Sequence, residues 1–156
     1  MPWKNGLGTT TEIALFPDGS SVAENNFTWR LSSAEITQSG PFSNYPGYQR
    51  FLTVLNGVEA TLSVDNKTEI IDQNRVIQFS GDSKVHCEIQ KKITDLNFIF
   101  KKNLAVTCEI FETSIEKKGA GTYLVFVAQG SIQIGSEIIE EFETVFTEEA
   151  LSAKLS

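Results

Sequence analysis

The fold is decided by the stretch Phe51-Leu52-Thr53-Val54-Leu55-Asn56-Gly57. Its apolar and β-branched residues predict a strand, and Asn-Gly is a strong signal for a tight hairpin turn. Residues Glu59 to Val64 are predicted as the returning strand of this hairpin. The sequence on both sides of the hairpin indicates that many more strands accompany it.

Short runs typical of β-strands fill most of the chain. Phe27 to Ser32 alternates, with Phe27, Trp29 and Leu31 on one face and polar residues on the other. Turn signals separate further runs, which are Thr68 to Ile71, Val76 to Phe79, Val85 to Ile89, Leu96 to Lys101, Cys108 to Thr113, Thr122 to Ala128, Ile132 to Ile134 and Glu143 to Phe146. Helical periodicity is confined to Glu148 to Leu155. Many short, regularly spaced strands predict an all-β sandwich or jelly roll.

A repeated sequence pattern is consistent with two related halves. The hairpin that begins at Phe51 resembles Tyr123 to Ile132, because each consists of an apolar strand, a glycine turn and a second strand. Any two hairpins share that much, so the pattern alone leaves duplication and coincidence equally open. We predict a first half at residues 1–102 and a shorter second half at residues 103–156, joined in one compact unit. The second half is less polar, so the chemistry is expected in the first.

Composition excludes several classes of protein. The 156 residues, 40% hydrophobic and 21% charged, suit a globular chain of one domain. The net charge of -7 argues against a nucleic-acid partner, because proteins that bind nucleic acid usually have a basic surface. No apolar run approaches the roughly 20 residues of a membrane-spanning helix, and no signal-peptide core is present, so we predict no membrane partner and a cytoplasmic location. Cys87 and Cys108 lie in alternating apolar sequence without CxxC spacing, which favours reduced core thiols over a disulfide or a catalytic pair.

Metal-ligating residues are scarce. Jelly-roll enzymes that hold a metal usually do so through two or three histidines and a glutamate. This chain has one histidine, His86, beside Glu88 in a predicted strand, where a structural or surface role is favoured. The sequence therefore predicts no metal site and no cofactor, and it disfavours nucleophiles that need a histidine base.

Two arginines lie in predicted strands. Arg30 follows Trp29, and Arg50 shares the face of Leu52 and Val54 by period two. Each arginine points either to solvent or into a pocket, where its planar guanidinium can hold a carboxylate by two hydrogen bonds. The residues leave both interpretations open.

Two segments have unusual aromatic content. Gly40 to Tyr48 combines two prolines, two glycines and three aromatics, which predicts a stiff loop. Its rings either form the wall of a pocket or pack back on the sandwich.

Pro2 to Ile13 sets a tryptophan, a lysine and an asparagine among glycines, which predicts an arm that packs against the fold and presents polar groups.

These blocks resemble the HutD/Ves family. The resemblance rests on five ordered groups: Pro2-Trp3-Lys4-Asn5-Gly6 with Thr11-Glu12-Ile13-Ala14; Trp29-Arg30-Leu31-Ser32-Ser33-Ala34; Gly40-Pro41-Phe42-Ser43 with Tyr45-Pro46-Gly47 and Arg50; Phe79 with Gly81-Asp82; and Asp95-Leu96-Asn97-Phe98. The second half carries no matching motif. Leu7 stands where the family usually has a glycine, and Lys92-Ile93-Thr94 replaces a usual Gly-Pro. The usual segment before the first motif is missing, which indicates a shortened arm or a misassigned start.

The resemblance implies a cupin-type, RmlC-like jelly-roll β-barrel, duplicated as a bicupin with a degenerate second half. It also implies a link to histidine utilisation in some bacteria and to stress responses in others, without an established enzymatic activity. The implied partner is a small acidic metabolite such as N-formylglutamate or a formimino relative.

We predict a ligand site at one end of the first barrel. A cationic cluster in an acidic protein favours an anion, because uncompensated buried arginines are costly. The alternative is that these cations pair internally with Glu12, Asp82 and Asp95. The two interpretations are compatible, because internal pairing can hold while the pocket is empty. The predicted ligand-binding residues are Lys4, Asn5, Glu12, Arg30, Ser32, Ser43 and Arg50.

Three functions are compatible with this site. The first, favoured over catalysis, is a protein that binds the acidic metabolite and thereby regulates or buffers histidine utilisation or a stress response. The second is a metal-independent enzyme with Glu12 or Asp82 as general base. The third is a structural or stress protein with a vestigial pocket. Edge strands would allow a homodimer.

Overall fold

The structure, a computed structural model, describes residues 1–3, 6–117, 121–148 and 151–155. Every regular element in these ranges is a β-strand, which confirms the predicted all-β class. The chain divides into two compact units, Met1–Ile110 and Phe111–Ser156. Each unit is described in turn.

The first unit consists of two antiparallel sheets. The five-stranded sheet has the order β1-β2-β9-β4-β7, and the four-stranded sheet has the order β3-β8-β5-β6. The strands of this unit are β1 Gly8–Phe16, β2 Trp29–Ile36, β3 Gly40–Pro41, β4 Tyr48–Asn56, β5 Ala60–Val64, β6 Lys67–Ile71, β7 Ile77–Ser80, β8 Val85–Glu88 and β9 Ile93–Lys101.

Apolar residues from both sheets form one core. Leu52 and Val54 of β4 belong to the same buried cluster as Leu62 of β5, Ile71 of β6 and Cys87 of β8. Burial of each such aliphatic side chain contributes about 1.5–3 kcal/mol. The inner faces of the two sheets therefore hold the unit together.

The stretch from Phe51 to Gly57 leads into a turn between the two sheets rather than into a hairpin. β4 pairs with β7 and β9, whereas β5 pairs with β6 and β8. Both strands bury an apolar face in the same core, so they face each other across it. The prediction that β5 pairs with β4 is wrong. The Gly57 turn requires only that the chain reverses direction, and it does not determine which strand β5 pairs with. The tight hairpin lies one strand later, where Val64 of β5 pairs with Lys67 of β6.

The described part of the N-terminal arm folds back along β1, and Trp3 packs against the core, so the predicted packing of the arm is confirmed. Pro2 forms a bridge with Thr9, and the Trp3 indole Nε1 donates a hydrogen bond to Thr10 Oγ1 at 2.7 Å. Leu7, where the family usually has glycine, is accommodated: its carbonyl accepts a hydrogen bond from the Thr37 amide at 3.0 Å. The Leu7 side chain lies over Gly40, where a Cβ would come within 2.2 Å of Leu7 Cδ1.

The second unit repeats part of the topology of the first. Its sheet orders are β10-β15-β12-β13 and β11-β14, which correspond to β3-β8-β5-β6 and β4-β7 of the first unit. In the part of this unit that the structure describes, β1, β2 and β9 have no counterparts. Its strands are β10 Ile115–Lys117, β11 Tyr123–Phe126, β12 Ile132–Ile134, β13 Glu137–Ile139, β14 Thr144–Thr147 and β15 Leu151–Leu155.

Three sequence predictions for the C-terminal part are wrong. Residues 151–155 of the predicted helix form strand β15, because they pair with β10 and β12. Cys108 to Thr113 is irregular, and the rule that alternate residues are buried therefore does not apply there. Cys108 is accordingly exposed, whereas Cys87 is a buried free thiol as predicted.

Candidate functional site

The centre of the five-stranded sheet brings two arginines to one face. Arg30 of β2 and Arg50 of β4 both pair in register with Ile99 of β9, which lies between them. Neighbouring strands are about 4.8 Å apart and directly paired residues project from the same face, so both guanidinium groups point into the unit. The residues are 3% and 4% exposed, respectively. The solvent-facing interpretation of these arginines is therefore wrong.

The next two rows of the sheet add polar groups to this face. Ser32 pairs with Glu12 on one side and with Asn97 on the other. One row further, Asp95 lies between Ala34 and Val54. We call this set the inner polar cluster, and its members are Glu12, Arg30, Ser32, Arg50, Asp95 and Asn97.

Arg30 is neutralised inside the protein. Its Nε donates a hydrogen bond to Glu12 Oε2 at 3.0 Å, and the two groups form an ion pair. The Arg30 side chain is 4% exposed, whereas that of Glu12 is 42% exposed. Glu12 therefore lies at the rim of the inner polar cluster, and the predicted internal pairing holds for this arginine.

Arg50 is held by aromatic rings and by two uncharged acceptors. Its guanidinium carbon lies 5.3, 5.6 and 5.0 Å from the ring centroids of Phe42, Tyr45 and Phe79. Its Nη1 donates to the Ser43 carbonyl at 3.1 Å and its Nε to Asn97 Oδ1 at 3.4 Å. We call Phe42, Tyr45 and Phe79 the aromatic cage. Phe42 and Tyr45 lie in the segment between β3 and β4, which we call the proline loop. Their rings thus pack inward and, with Phe79 of β7, form a wall around this cation.

The electrostatics of Arg50 differ from those of Arg30. Of the residues that the structure describes, none places a carboxylate within ion-pair distance of Arg50. Burial lowers the pKa of Arg50 to about 10, and the charge of Arg30 acts in the same direction, while Asp95 and Tyr45 oppose it. The guanidinium is nevertheless charged at neutral pH, so the fold buries a cation without an anion at hydrogen-bond distance.

Asp95 is a buried acid on the same face. It is 2% exposed, and its Oδ1 accepts a hydrogen bond from the Ala34 amide at 2.9 Å. Burial raises the pKa of Asp95 to about 7, although the Ala34 hydrogen bond and the charge of Arg50 act in the opposite direction. A carboxyl with this pKa exchanges its proton near neutral pH.

The structure brings together some of the predicted site residues and separates others. Arg30, Ser32 and Arg50 share the inner face, and Glu12 lies at its rim. Ser43 contacts this cluster through its backbone carbonyl, which accepts a hydrogen bond from Arg50. Lys4 and Asn5 lie outside the described residues.

Asp82 lies apart from the inner polar cluster. It is exposed and forms an ion pair with Lys102, which lowers its pKa, rather than with an arginine. Asn97 and Asp95 belong to the inner polar cluster but are not among the predicted ligand-binding residues. Alternation along β9 contains the signal for both, since they share a face with Ile93 and Ile99.

Other candidate sites in the described part of the chain are weaker. Two surface hollows of about 350 and 390 Å³ lie along β5 to β7, and neither is lined by a member of the inner polar cluster. No group of three or more metal-ligating side chains was found among residues 1–3, 6–117, 121–148 and 151–155. Over the same ranges, no helix has the length and apolarity needed to cross a membrane.

Comparison with known proteins identifies the family. The HutD family model matches residues 1–154. The chain belongs to the HutD family. It is 37% identical over 138 residues to an uncharacterized 21.2 kDa protein in the hutC 3' region of Pseudomonas putida, covering 86% of this chain and 71% of that one. It is 31% identical over 141 residues to protein Ves of Citrobacter koseri, covering 88% and 72%.

Solved structures agree with this assignment. HutD from Pseudomonas fluorescens superposes with a TM-score of 0.77 at 28% identity, covering 99% of this chain and 88% of that one. A protein of unknown function from Pseudomonas aeruginosa gives a TM-score of 0.81 at 31% identity, covering 100% and 86%. The cupin domain of a transcriptional regulator from Enterobacter cloacae, at 10% identity and a TM-score of 0.50, covers 62% of this HutD-family chain and 99% of that domain. The predicted cupin-like fold is confirmed.

Proposed function

We propose that the inner polar cluster binds a small acidic metabolite, and that this HutD-family protein senses or buffers that metabolite in histidine utilisation. The observation that carries the proposal is the state of Arg50. It is buried and charged, and among the described residues it has no carboxylate at ion-pair distance. A buried cation without a counter-ion is unfavourable by several kcal/mol, and a bound carboxylate would remove much of that cost.

The contacts of Arg50 support recognition of a carboxylate. A guanidinium has five N–H donors in a planar fork. Described residues accept hydrogen bonds from two of its nitrogens, Nε and Nη1, and both acceptors are uncharged oxygens. The aromatic cage holds the side chain in one orientation, which reduces the entropy lost when a ligand binds. Arg50 is therefore the primary anion-binding group of the proposal.

Neighbouring groups favour a ligand that is also polar away from its carboxylate. Ser32 and Asn97 lie one row from Arg50, and their hydroxyl and amide groups donate and accept hydrogen bonds. N-formylglutamate carries carboxylates together with a formamide, which matches these two kinds of group. The name of the Pseudomonas putida relative, which refers to a hut region, supports a metabolite of histidine breakdown as the first compound to test.

Thermal unfolding with a panel of acids tests the proposal. The panel contains N-formyl-L-glutamate, L-glutamate, formimino-L-glutamate and glutarate. A ligand at one hundred times its Kd stabilises the protein by about 2.7 kcal/mol. We expect Arg50→Lys to weaken binding at least tenfold, because lysine lacks the planar fork, so that the same ligand concentration stabilises by at most about 1.4 kcal/mol.

Arg75→Lys is the matched control. Arg75 is exposed and paired with Glu69, away from the inner polar cluster. The proposal is abandoned if no acid stabilises the wild-type protein, or if Arg50→Lys and Arg75→Lys respond alike. Product analysis after incubation distinguishes binding from the metal-independent enzyme, and sedimentation measures whether the proposed homodimer forms.

A further inference from the structure

Asp95 is the acidic member of the inner polar cluster that the structure leaves without a cation. Its Oδ1 accepts one hydrogen bond, from the Ala34 amide, and no described lysine or arginine lies within ion-pair distance of it. In its row of the sheet it lies between Ala34 and Val54, both buried and apolar. An ionised carboxylate in these surroundings is poorly solvated.

The groups around Asp95 are few and can be named by element. Among the described residues, β5, β6 and β7 contribute apolar side chains to the core, including Leu62, Ile71 and Phe79. Arg50 from β4 and Cys87 from β8 interact electrostatically with Asp95. The other charged or titratable groups around Arg50 on this face are Glu12 from β1, Arg30 from β2 and Tyr45 from the proline loop.

The balance of charge on this face depends on the state of Asp95. Because Glu12 neutralises Arg30, the described cluster has one uncompensated cation, Arg50, and one unpaired acid, Asp95. When Asp95 is ionised, it compensates Arg50 electrostatically and competes with an incoming anion. When Asp95 is protonated, the positive charge of Arg50 is available, and the carboxyl group can donate a hydrogen bond.

We propose that Asp95 is a ligand-binding residue that carries a proton, so that the anion binds together with one proton taken from solvent. This inference rests on the proposed function. It adds Asp95 to the ligand-binding residues and specifies which ligands the site prefers. The preferred ligand has a carboxylate for Arg50 and an acceptor oxygen for the protonated Asp95. The negative charge of the bound ligand raises the pKa of Asp95 further, which is the source of the proton uptake.

Calorimetry in buffers of different ionisation enthalpy tests this inference, with N-formyl-L-glutamate as probe. We expect the wild-type protein to take up a fraction of a proton at pH 7 and more at pH 8. Its affinity falls by up to about tenfold per pH unit above pH 7, because the carboxyl must be protonated for binding. Asp95→Asn keeps an oxygen for the Ala34 amide and an uncharged donor, and should bind without proton uptake and with little pH dependence.

Asp65→Asn is the matched control. Asp65 also accepts one backbone hydrogen bond, from the Lys84 amide at 2.9 Å, but it is exposed. Its φ of 52° is tolerated by asparagine. Asp65→Asn should retain the proton uptake of the wild-type protein.

Each outcome bears on the inference. Heat that does not depend on buffer, or uptake that persists in Asp95→Asn, overturns it and leaves the proposed function intact. Absence of binding by every acid in the panel overturns both. If Asp95→Asn does not fold, a carboxyl carbon NMR titration of the wild-type protein, with and without N-formyl-L-glutamate, replaces it. An Asp95 resonance that titrates near pH 4, or that the ligand does not move upward in pH, contradicts the inference.

Discussion

Arg30 and Arg50 flank Ile99 at equivalent positions of the central sheet, yet their charges are satisfied differently. Arg30 has an internal carboxylate in Glu12, whereas Arg50 has carbonyl and amide oxygens and three rings. The first arginine is therefore compensated by the protein itself. The second has a positive charge that an acidic ligand can compensate.

The first prediction concerns the Arg30–Glu12 ion pair. Glu12→Gln leaves Arg30 without its carboxylate, so the site gains positive charge and anion affinity should increase several-fold. The free energy of unfolding should fall by about 1–2 kcal/mol, less than for a fully unpaired buried cation, because the glutamine oxygen can still accept the Arg30 Nε hydrogen bond and position 12 is 42% exposed. Calorimetry and urea unfolding measure the two effects. Glu69→Gln, which breaks the exposed pair with Arg75, serves as control and should leave affinity unchanged. Weaker binding in Glu12→Gln would show that Glu12 itself contacts the ligand.

The second prediction links the N-terminal arm to the cluster through Phe42. The Phe42 ring meets the Trp3 ring edge-on at 6.0 Å and lies 5.3 Å from the Arg50 guanidinium carbon. Phe42→Leu removes both contacts and should destabilise the protein by about 1–2 kcal/mol, while shifting Trp3 emission to longer wavelength. Fluorescence is read in a Trp29→Phe background, so that Trp3 is the only tryptophan.

The exposed Phe111, in the second unit, provides the control for Phe42. Phe111→Leu should change neither the Trp3 emission nor ligand affinity. An unchanged Trp3 spectrum in Phe42→Leu would mean that the arm does not depend on this contact.

Local pattern predicted most strands of the first unit and the face of Arg50, because period two places Arg50 with Leu52 and Val54. It did not predict the sheet partners. The Gly57 turn is compatible with a hairpin and with a crossing between sheets, and only the shared core of β4 and β5 decides between them. Likewise, residues 151–155 have no strong preference of their own, and pairing with β10 and β12 makes them a strand.

The candidate site was predictable in part for a similar reason. The cage around Arg50 comes from residues 42, 45 and 79, which no local periodicity connects. Asp95 was recognised only as a partner for a cation. Its isolation from cations depends on three-dimensional packing, so a sequence pattern cannot reveal which state of its carboxyl is stable.

The third prediction tests how Leu7 fits against Gly40. A Cβ at Gly40 would overlap Leu7 Cδ1, the end of a flexible side chain, so Leu7 must change rotamer and Gly40→Ala should cost about 0.5–1.5 kcal/mol of stability. In a Leu7→Ala background the obstruction is absent, and Gly40→Ala should become nearly neutral. A double-mutant cycle by urea unfolding measures this coupling. Additive effects of the two substitutions would contradict the close approach of these residues.

The fourth prediction is a dependence of stability on pH that arises from Asp95. Its pKa is about 7 in the folded protein and about 3.9 when unfolded, so between these values the folded state binds the extra proton. The resulting stabilisation is complete below pH 4 and is lost as pH rises to 7, by about 4 kcal/mol in total. Asp95→Asn lacks this dependence. Its free energy of unfolding, relative to the wild-type protein, should therefore increase between pH 4 and pH 8, as measured by urea unfolding without ligand. Asp65→Asn should show no such trend, and a difference between Asp95→Asn and wild type that is independent of pH would place the Asp95 pKa near its ordinary value.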